Sequence, residues 1–503
     1  MLTSGSQFIE LAEQLLGCDL VDVKIDTMTC HSQQVTQNSC FLALAGHQVH
    51  GSVYNQDAAD KGASLILCDT AEQEFHGQKS LIGNTVCILV CGLNELAGEL
   101  ADIFYAQPSM QLSLVGVTGT NGKTSVCEMI YQLAQQLNIR PAYMGTLGVK
   151  YKNTSIQTGL TTPDAVSVQG YLANFVQADC ELAAIEVSSH AVVQYRVNGC
   201  QFDRLAFTNL SHDHLDYHQT MEAYFAAKAS LFLQNPQACH LINTDHEYGR
   251  TLIRLLKTKQ TTPDVLAVGR TASNYADKYL KLVSVSALAK GFKVTLEYGD
   301  GKTVEKAQGY LPLIGEFNIE NLLIAMASLL SPTISLQQLI QAAEKLIPIA
   351  GRMENFSVNG INLVVDFAHT PDGLAQALRA CRSHCQAKLW VVFGCGGDRD
   401  KNKRAEMGTI AQELADKIIL TNDNPRSESQ AHIINDITRN MTQNTYQIEL
   451  DRKQAIRFAY QNAKAGDYIL IAGKGHETYQ EFADGNIDYN ERAFVAELIQ
   501  GAA

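Results

Sequence analysis

A glycine-rich turn between a predicted strand and a predicted helix limits the fold of this chain more than any other feature. The turn reads Gly116-Val-Thr-Gly-Thr-Asn-Gly-Lys-Thr124 and lies between the apolar run 112–117 and the helix-like stretch 124–137. In an α/β sheet, such a turn places backbone N–H groups and a helix N-terminus around a polyphosphate. Lys123 would neutralise phosphate charge, and Thr124 would offer its hydroxyl to Mg²⁺. The turn therefore predicts a nucleotide-binding α/β domain.

The spacing of this turn departs from the strict phosphate-loop pattern. The position six residues before Lys123 is Val117, and the first glycine, Gly116, lies one residue further upstream. A glycine-rich turn without a ligand is therefore the alternative, although the strand-turn-helix context favours phosphate binding. The predicted ATP contacts in the loop are Gly119, Thr120, Asn121, Gly122, Lys123, Thr124 and Ser125.

The length of 503 residues corresponds to about three domains of roughly 150 residues each. Apolar runs that alternate with helix-like segments predict three α/β domains. These are a small domain at 1–109, a central phosphate-loop ATPase domain with a mostly parallel sheet at 110–348, and a C-terminal Rossmann-like domain at 349–503. The predicted strands are 64–68, 85–90, 112–117, 182–187, 204–209, 240–243, 362–366, 388–393, 417–420 and 467–472, and residues 290–298 alternate like an antiparallel hairpin.

Composition excludes several classes of protein. The net charge of -13 gives no global positive field, which argues against nucleic-acid binding and against binding to an anionic membrane. The thirteen cysteines form no CxxC pair, so they indicate a reducing compartment. The first twenty residues carry Glu10, Glu13 and Asp19, and no later apolar run is long enough to span a bilayer. We expect a cytoplasmic, monomeric protein that binds small molecules, with no nucleic-acid partner and no membrane insertion.

Two polar segments follow neighbouring predicted strands behind the glycine-rich turn. Glu186-Val-Ser-Ser-His190 follows one strand, and Thr208-Asn-Leu-Ser-His-Asp-His-Leu-Asp216 follows the next. Each residue alone has an ordinary explanation, because a histidine is often a structural hydrogen-bonding group and a glutamate after a strand is often solvated. Together, beside a phosphate loop, Glu186 and His214 favour a site for a divalent cation.

The spelling Gly119-Thr-Asn-Gly-Lys-Thr124 resembles the signature of the Mur ligase superfamily, which also contains folylpolyglutamate synthetase and cyanophycin synthetase. The resemblance implies that Lys228, in Ala226-Ala-Lys-Ala-Ser-Leu-Phe232, is carbamylated and helps to hold Mg²⁺, whereas a solvated lysine is the alternative. It implies catalytic roles for Lys123, His214 and Lys228. The implied metal ligands are Thr124, Glu186, His214 and Lys228 as N6-carboxylysine.

The same resemblance extends the nucleotide site into the third domain. Gly315-Glu-Phe-Asn-Ile-Glu-Asn321 carries two asparagines, Asn318 and Asn321, that contact the nucleotide in the family, although helix capping is the alternative. Gly351-Arg-Met-Glu354 and Val365-Asp-Phe-Ala-His-Thr-Pro-Asp372 follow. By resemblance, Arg352, Asp366 and His369 reach ATP across the domain boundary.

Two further stretches narrow the resemblance within the superfamily. Gly394-Cys-Gly-Gly-Asp-Arg-Asp400 and Asp423-Asn-Pro-Arg426 look like the members that add meso-diaminopimelate rather than lysine to a muramyl dipeptide. A guanidinium can grip the distal carboxylate that lysine lacks. The implied diaminopimelate contacts are Arg399, Asp423, Asn424, Pro425, Arg426, Gly473 and Glu477.

The first domain differs most from the family. Cys30-His-Ser-Gln33 stands where the family usually has a hydrophobic residue followed by Asp-Ser-Arg, whereas Ser32 and the turn around His47 match it. The implied contacts to the UDP-linked substrate are Cys30, Ser32, His47, Gln48 and Val49, together with Thr161, Thr162, Ser188, Gln194 and Arg196. Ordinary loop polarity is the alternative for the second group.

The resemblance implies an ATP-dependent, Mg²⁺-requiring ligase of peptidoglycan synthesis. Through an acyl phosphate, it would join meso-diaminopimelate to UDP-N-acetylmuramoyl-L-alanyl-D-glutamate. One rival is a folate polyglutamylating ligase, which would lack the uridine-binding first domain and the Asp423 to Arg426 tetrapeptide. A second rival is a non-catalytic nucleotide-binding regulator, which would not need Glu186, His214 and Lys228.

Overall fold

The structure is a computed structural model that describes residues 2–3, 5–46, 49–288 and 291–501. The predicted substrate contacts His47 and Gln48 lie outside the described residues. The described chain forms three α/β units in sequence, each with its own sheet and core. The α/β, three-domain fold class expected from the sequence is confirmed, including the mostly parallel central sheet.

The first unit is a small sheet covered by helices. Its strand order is β1-β2-β3-β5-β4, and only β4 runs antiparallel to its neighbour. Phe8 and Phe104 pack edge to face, with ring centroids 5.4 Å apart, so α1 and α3 share one face of the sheet. The strands are β1 Thr27–Thr29, β2 Ser39–Ala43, β3 Ala63–Thr70, β4 Lys79–Ile82 and β5 Thr85–Cys91; the helices are α1 Gly5–Leu16, α2 Asn55–Asp60 and α3 Leu93–Phe104.

The middle unit is built on one large sheet with helices on both faces. Its strands are β6 Ser113–Thr118, β7 Pro141–Gly145, β8 Gly148–Tyr151, β9 Thr154–Ile156, β10 Leu182–Glu186, β11 Arg204–Phe207, β12 Cys239–Asn243, β13 Val265–Gly269, β14 Lys278–Leu288, β15 Gly291–Asp300 and β16 Val304–Leu311. The helices are α4 Lys123–Gln136, α5 Ala165–Gln177, α6 Ser189–Val193, α7 Leu215–His218, α8 Met221–Gln234, α9 Glu247–Lys259, α10 Glu316–Ala327 and α11 Leu336–Ala343.

The order of this sheet is β16-β15-β14-β13-β12-β11-β6-β10-β7-β8-β9. The run from β14 to β7 is parallel, and the two edges are antiparallel. Within the alternating pattern predicted for 290–298, the described residues 291–298 belong to β15 of the antiparallel meander β14-β15-β16. Because parallel strands end at one edge, the loops after β6, β10 and β11 meet there.

The third unit has a Rossmann-like sheet and a short separate hairpin. The sheet order is β17-β18-β22-β19-β20-β21, in which only the pair β17 and β18 is antiparallel. Its strands are β17 Glu354–Val358, β18 Ile361–Asp366, β19 Leu389–Phe393, β20 Lys417–Leu420, β21 Tyr446–Ile448 and β22 Tyr468–Ala472; the hairpin is β23 Tyr479–Phe482 and β24 Gly485–Asp488. The helices are α12 Pro371–His384, α13 Asn402–Leu414, α14 Gln430–Thr438, α15 Arg452–Asn462 and α16 Glu491–Gln500.

The predicted strands of all three units are present, with end positions shifted by a few residues at most. Buried apolar runs such as Leu389–Phe393 predict strands reliably because a central parallel strand is covered on both faces. Among the described helices, none is both long and apolar enough to cross a membrane.

One buried carboxyl predicts a pH-dependent stability. Asp102 on α3 is 6% exposed, its Oδ1 has no partner among the described residues, and burial raises its pKa to about 7. Between the ordinary pKa of an aspartate and about 7, the unfolded chain is ionised while the folded chain holds the proton, so stability falls as pH rises. We expect Asp102→Asn to increase the free energy of unfolding by about 1–3 kcal/mol above pH ~7 and by much less near pH ~4. The melting temperature should rise accordingly. Melting curves across this range check it, and an equal gain at every pH would contradict it.

Candidate active site

The glycine-rich loop joins the end of β6 to the start of α4 and depends on two glycines. Gly119 has φ +148° and Gly122 has φ +89°, both in the region that L side chains rarely adopt. A Cβ at Gly119 would overlap Thr208 Oγ1, and a Cβ at Gly122 would overlap Asn321 Oδ1. The loop is therefore held tightly between β11 and α10, and the first turn of α4 opens onto it.

Lys123 and Thr124 begin α4 and have their side chains in the loop. The Lys123 ammonium donates to the carbonyls of Gly119 and Thr120, each at 2.9 Å, so it closes over the loop backbone. Burial lowers the pKa of Lys123. Thr124 Oγ1 donates to Glu186 Oε2 at 2.9 Å. A polyphosphate could replace the two carbonyls as the acceptor of the Lys123 ammonium, with gain of charge complementarity.

Glu186 ends β10 and is 1% exposed, so its carboxylate needs strong partners. In addition to Thr124, it accepts from Tyr143 Oη at 2.6 Å and from the Thr146 backbone N–H at 2.9 Å. Thr146 Oγ1 donates to the other oxygen at 3.1 Å. Sequence reasoning missed Tyr143 and Thr146, because they lie on β7 and the following turn without any motif.

Lys228 lies on α8 on the other side of the loop. Its ammonium donates to the Gly119 carbonyl at 2.9 Å and lies 3.4 Å from Thr118 Oγ1. The residue is 1% exposed, which excludes the alternative of a solvated lysine. Burial, together with the charge of Lys123, holds the pKa of Lys228 well below its ordinary value. Burial therefore disfavours the charged form of this amine more than solvent would.

His214 has a left-handed backbone, with φ +54°, at the start of α7. Its Nε2 lies 3.4 Å from Asp213 Oδ2, and its ring centroid is 5.0 Å from that of His190. Burial raises the pKa of Asp213, but the positive charges of His214, His369 and Lys123 outweigh it and bring the pKa below its usual value. Asp213 was missed as a site residue, although it belongs to the segment that carries His214.

A cavity of about 310 Å³ lies between the loop, α10 and the third unit. Arg352 Nη2 donates to Thr124 Oγ1 at 3.3 Å, and its Nε is buried without a hydrogen-bond partner in the described part of the chain. A buried, unpaired guanidinium N–H indicates an acceptor supplied by a ligand. Eight of the predicted ATP contacts line this cavity: Asn121, Gly122, Ser125, Asn318, Asn321, Arg352, Asp366 and His369.

The cavity is built by two units of the chain. Asn121 Nδ2 donates to Asp372 Oδ2 at 3.2 Å, which joins the loop to the start of α12. Asn318 and Asn321 are buried on α10, and Asn321 Nδ2 donates to Asn318 Oδ1 at 3.2 Å. Both lie inside α10, whose N-cap is Gly315, so helix capping does not account for them. Asp372 was not predicted, although it belongs to a segment that the sequence singled out.

The five predicted substrate contacts of the middle unit lie together beside Glu186. Thr162 Oγ1 donates to the Glu186 carbonyl at 2.8 Å, and Thr161 Oγ1 lies 3.1 Å from Thr146 Oγ1. Arg196 donates to the Thr162 carbonyl at 2.7 Å. Its Nε bonds Gln194 at 3.0 Å, and Ser188 caps α6.

A thiol of the first unit contacts the middle unit close to these substrate contacts. Cys30 Sγ donates to Asp164 Oδ1 at 3.1 Å, and Asp164 caps α5 of the middle unit. Ser32 opens a short 3-10 turn, and its carbonyl accepts from Lys61 at 3.0 Å. Val49 is 49% exposed. Cys30 thus contacts the middle unit two residues after Thr162, one of its predicted substrate contacts.

The tetrapeptide 423–426 follows β20 and turns sharply. Arg426 has φ +50°, its Nε donates to Glu481 Oε2 at 2.7 Å, and its Nη1 donates to the Gly397 carbonyl at 2.7 Å. Pro425 is buried within the turn, whereas Arg399 lies exposed in the loop after β19. The guanidinium of Arg426 therefore pairs with a carboxylate of the protein itself.

A second set of polar groups lies beside this turn. Asn424 Nδ2 donates to Glu477 Oε2 at 3.0 Å, and the buried Lys474 ammonium donates to Asn424 Oδ1 at 2.7 Å and pairs with Glu477. Asp423 Oδ2 is buried and lacks a partner among the residues described, and a Cβ at Gly473 would overlap it. Lys474 and Glu481 were not predicted, although Lys474 stands within the segment 473–477.

Models of known protein families match most of the chain. Residues 117–329 match the Mur ligase middle domain, 351–475 the Mur ligase glutamate ligase domain, and 24–105 the Mur ligase family catalytic domain. The chain belongs to the Mur ligase family. A relative in Vibrio vulnificus, named UDP-N-acetylmuramoyl-L-alanyl-D-glutamate--2,6-diaminopimelate ligase, is 40% identical over 489 residues, with 96% of each chain covered.

Two further proteins are similar to this chain over nearly its whole length. A protein of that name in Haemophilus influenzae is 40% identical over 484 residues, covering 95% of this chain and 97% of the relative. A solved structure of a UDP-N-acetylmuramoyl-L-alanyl-D-glutamate--2,6-diaminopimelate ligase is 30% identical, with a TM-score of 0.68, and covers 100% of this chain and 99% of its own. The similarity of this Mur ligase thus includes the first unit, where its motif departs most from the family.

We expect Lys123→Ala to weaken binding of a nucleoside triphosphate at least 10-fold while leaving the melting temperature nearly unchanged. The reason is that the Lys123 ammonium packs only on loop carbonyls but would face phosphate charge. Isothermal titration with a non-hydrolysable ATP analogue checks it. Lys257→Ala, at an exposed lysine of α9 in the same unit, is the control. Equal affinity in the two variants would contradict the phosphate-loop assignment.

Proposed function

We propose that this Mur ligase uses ATP to join meso-diaminopimelate to UDP-N-acetylmuramoyl-L-alanyl-D-glutamate, a step of peptidoglycan precursor synthesis. The names of relatives 40% identical over nearly the whole chain support this reaction. The observation that carries the choice of amino acid is the guanidinium of Arg426, which holds the Glu481 carboxylate beside Asn424 and Glu477. Such a site suits a substrate whose far end carries both an ammonium and a carboxylate.

The proposed reaction has two chemical steps. The γ-carboxylate of D-glutamate forms a bond to the terminal phosphorus of ATP, and ADP leaves with the electrons of the broken P–O bond. The amine of diaminopimelate then attacks the acyl carbon, phosphate leaves, and the amine gives up a proton as the amide forms. Lys123 and Arg352 would offset the negative charge that gathers on the transferred phosphoryl group.

The predicted magnesium ligands fit a hard cation in part. The Thr124 hydroxyl and the Glu186 carboxylate are hydrogen-bonded to each other at the edge of the loop, and both offer oxygen atoms as metal ligands. His214 would add a nitrogen ligand. When bound, Mg²⁺ would reduce the charge of the phosphates and favour attack by a carboxylate. Lys228 as an ammonium would repel a cation, so this site requires its modification.

Carbamylation of Lys228 is chemically favoured by its surroundings. A neutral amine adds to CO₂, an N–C bond forms and a proton leaves, which turns a cationic side chain into an anionic one. Burial and the neighbouring Lys123 lower the pKa of Lys228, and a lowered pKa favours the neutral amine that reacts with CO₂. We infer that Lys228 is carbamylated and serves as a metal ligand together with Thr124, Glu186 and His214.

The remaining site assignments belong to the same proposal. ATP would lie in the cavity between the loop, α10 and the third unit, and the muramyl dipeptide would lie beside Thr161, Thr162, Ser188, Gln194 and Arg196. The uridine end would approach Cys30, Ser32 and Val49. Arg399, Asp423, Asn424, Pro425, Arg426, Gly473 and Glu477 would bind diaminopimelate.

We also infer three domains at 1–109, 110–348 and 349–503, because each range holds one complete sheet of the described chain, the third with a small hairpin besides. The thirteen cysteines are all free in the structure, which supports a reducing, cytoplasmic location. A monomer remains our proposal for the state in solution.

We expect Lys228→Ala to abolish ligation, because the variant lacks the anion proposed to hold the metal. Added formate or acetate should partly restore it by supplying a carboxylate in the vacated space. Melting curves check that the fold survives loss of the buried side chain, with Lys257→Ala as the lysine control. Full activity of the alanine variant without any added anion would refute the role of Lys228.

We expect Arg426→Ala to lower kcat/KM for diaminopimelate about 30-fold or more, since loss of a charge-assisted, bidentate contact costs about 2–5 kcal/mol. Affinity for ATP and for the UDP-linked dipeptide should stay near wild type, and lysine should remain a poor substrate because no acceptor for its ammonium is created. Arg439→Ala, which removes an exposed arginine paired with Asp436 in the same unit, is the control. A wild-type preference for lysine would overturn the specificity while leaving the ligase reaction standing.

A further inference from the structure

A thiol, an imidazole and a carboxylate meet where the first unit contacts the middle unit. Cys30 and His31 directly follow β1, and Asp164 stands at the N-terminus of α5. Cys30 Sγ lies 3.1 Å from Asp164 Oδ1, and His31 Nε2 lies 3.2 Å from Asp164 Oδ2. One potential ligand atom of each residue lies within 4.8 Å of the other two. Two segments about 130 residues apart in the sequence thus bring three different metal-binding groups together.

The combination of groups is that of a zinc site rather than a magnesium site. Mg²⁺ prefers oxygen ligands alone, whereas Zn²⁺ binds thiolate, imidazole and carboxylate together. Tetrahedral Zn²⁺, with bonds of about 2.3 Å to sulfur and 2.0–2.2 Å to nitrogen or oxygen, separates S and O by about 3.6 Å and N and O by about 3.4 Å. The Sγ–Oδ1 separation of 3.1 Å and the Nε2–Oδ2 separation of 3.2 Å are shorter than these values and involve the two different oxygens of Asp164, so the side chains would have to move apart to admit one ion.

The residues around the three groups hold them in place. The Ser167 backbone N–H donates to Asp164 Oδ1 at 3.0 Å, and the His31 backbone N–H donates to Thr29 Oγ1 at 3.0 Å. Carboxylate oxygens have several lone pairs, so Asp164 can keep its bond to Ser167 and still coordinate a cation. The Cys30 thiol donates to the Asp164 carboxylate, and His31 Nε2 lies within hydrogen-bond distance of it.

We propose that Cys30, His31 and Asp164 bind one Zn²⁺ ion that ties the first unit to the middle unit. The His31 side chain is 54% exposed, so a water molecule has access to the fourth position. On binding, the Cys30 S–H bond breaks, its proton goes to solvent and a sulfur–zinc bond forms, while His31 coordinates through neutral Nε2. The site is distinct from the proposed Mg²⁺ ligands around Glu186.

The local charges set the conditions under which the ion binds. Burial and the carboxylate of Asp164 raise the pKa of the Cys30 thiol well above its usual range, and the Arg196 guanidinium partly opposes this. The hydrogen bond to Asp164 raises the pKa of His31. Both protons must leave, so each ion bound should release at least one proton to the buffer.

The test is a titration of the metal-free, full-length chain with Co²⁺, without ATP or Mg²⁺. A cobalt–thiolate bond gives a charge-transfer absorption that oxygen and nitrogen ligands do not give. We expect this band to saturate at one Co²⁺ per chain and to be displaced by Zn²⁺. It should be absent in Cys30→Ser, should need at least 10-fold more Co²⁺ in Asp164→Asn, and should be unchanged in Cys18→Ser, whose thiol lies elsewhere in the first unit.

Thermal melting provides a second readout that does not depend on ligase activity. Zn²⁺ should raise the melting temperature of the wild type and of Cys18→Ser but not of Cys30→Ser, because only a bound folded state is stabilised. If Cys30→Ser fails to fold, His31→Gln serves instead, and its band should weaken at least 10-fold. No thiolate band in the wild type, or an equal band in the Cys30 or His31 variant, would overturn the proposal whatever the outcome for the ligase reaction.

Discussion

The buried carboxylate of Glu186 is the group on which the arrangement of this site depends. An uncompensated charge at this depth would cost several kcal/mol, so its partners are fixed by the need to satisfy it. Those partners come from α4 through Thr124, from β7 through Tyr143, and from the following turn through Thr146. The backbone carbonyl of the same residue binds Thr162. One residue thus sets the spacing between the phosphate loop and the segment proposed to hold the acidic substrate.

The fold was predictable because its signals are local and repeated. Buried parallel strands read as short apolar runs, and the turn at Gly116 to Thr124 requires glycine at two positions with positive φ. The candidate site was predictable where its residues stand in contiguous motifs, such as Asn318 with Asn321. Lys228 stands within an otherwise apolar, helix-like stretch, and its side chain is buried like those of its apolar neighbours.

The parts that the sequence could not supply depend on contacts between distant segments. Tyr143 and Thr146 have no motif, and their role appears only when β7 pairs with β10. Asp164 and Cys30 belong to different units, so no spacing rule brings them together. Glu481 lies on β23, more than fifty residues after Arg426. Each is selected by tertiary geometry, which a single sequence encodes only through the whole fold.

The pairing of Arg426 with Glu481 has a consequence for how the amino acid is bound. The guanidinium is already paired, because Glu481 and the Gly397 carbonyl accept hydrogen bonds from two of its N–H groups. A distal carboxylate on the substrate would therefore take over a place that an internal carboxylate occupies, and docking becomes an exchange of one anion for another. Such an exchange sets the gain from the new contact against the loss of the Glu481 contact, and an amino acid without a distal carboxylate cannot make the exchange. An enzyme must release its product after every turnover. Selection of the substrate without very tight binding of the product suits that requirement.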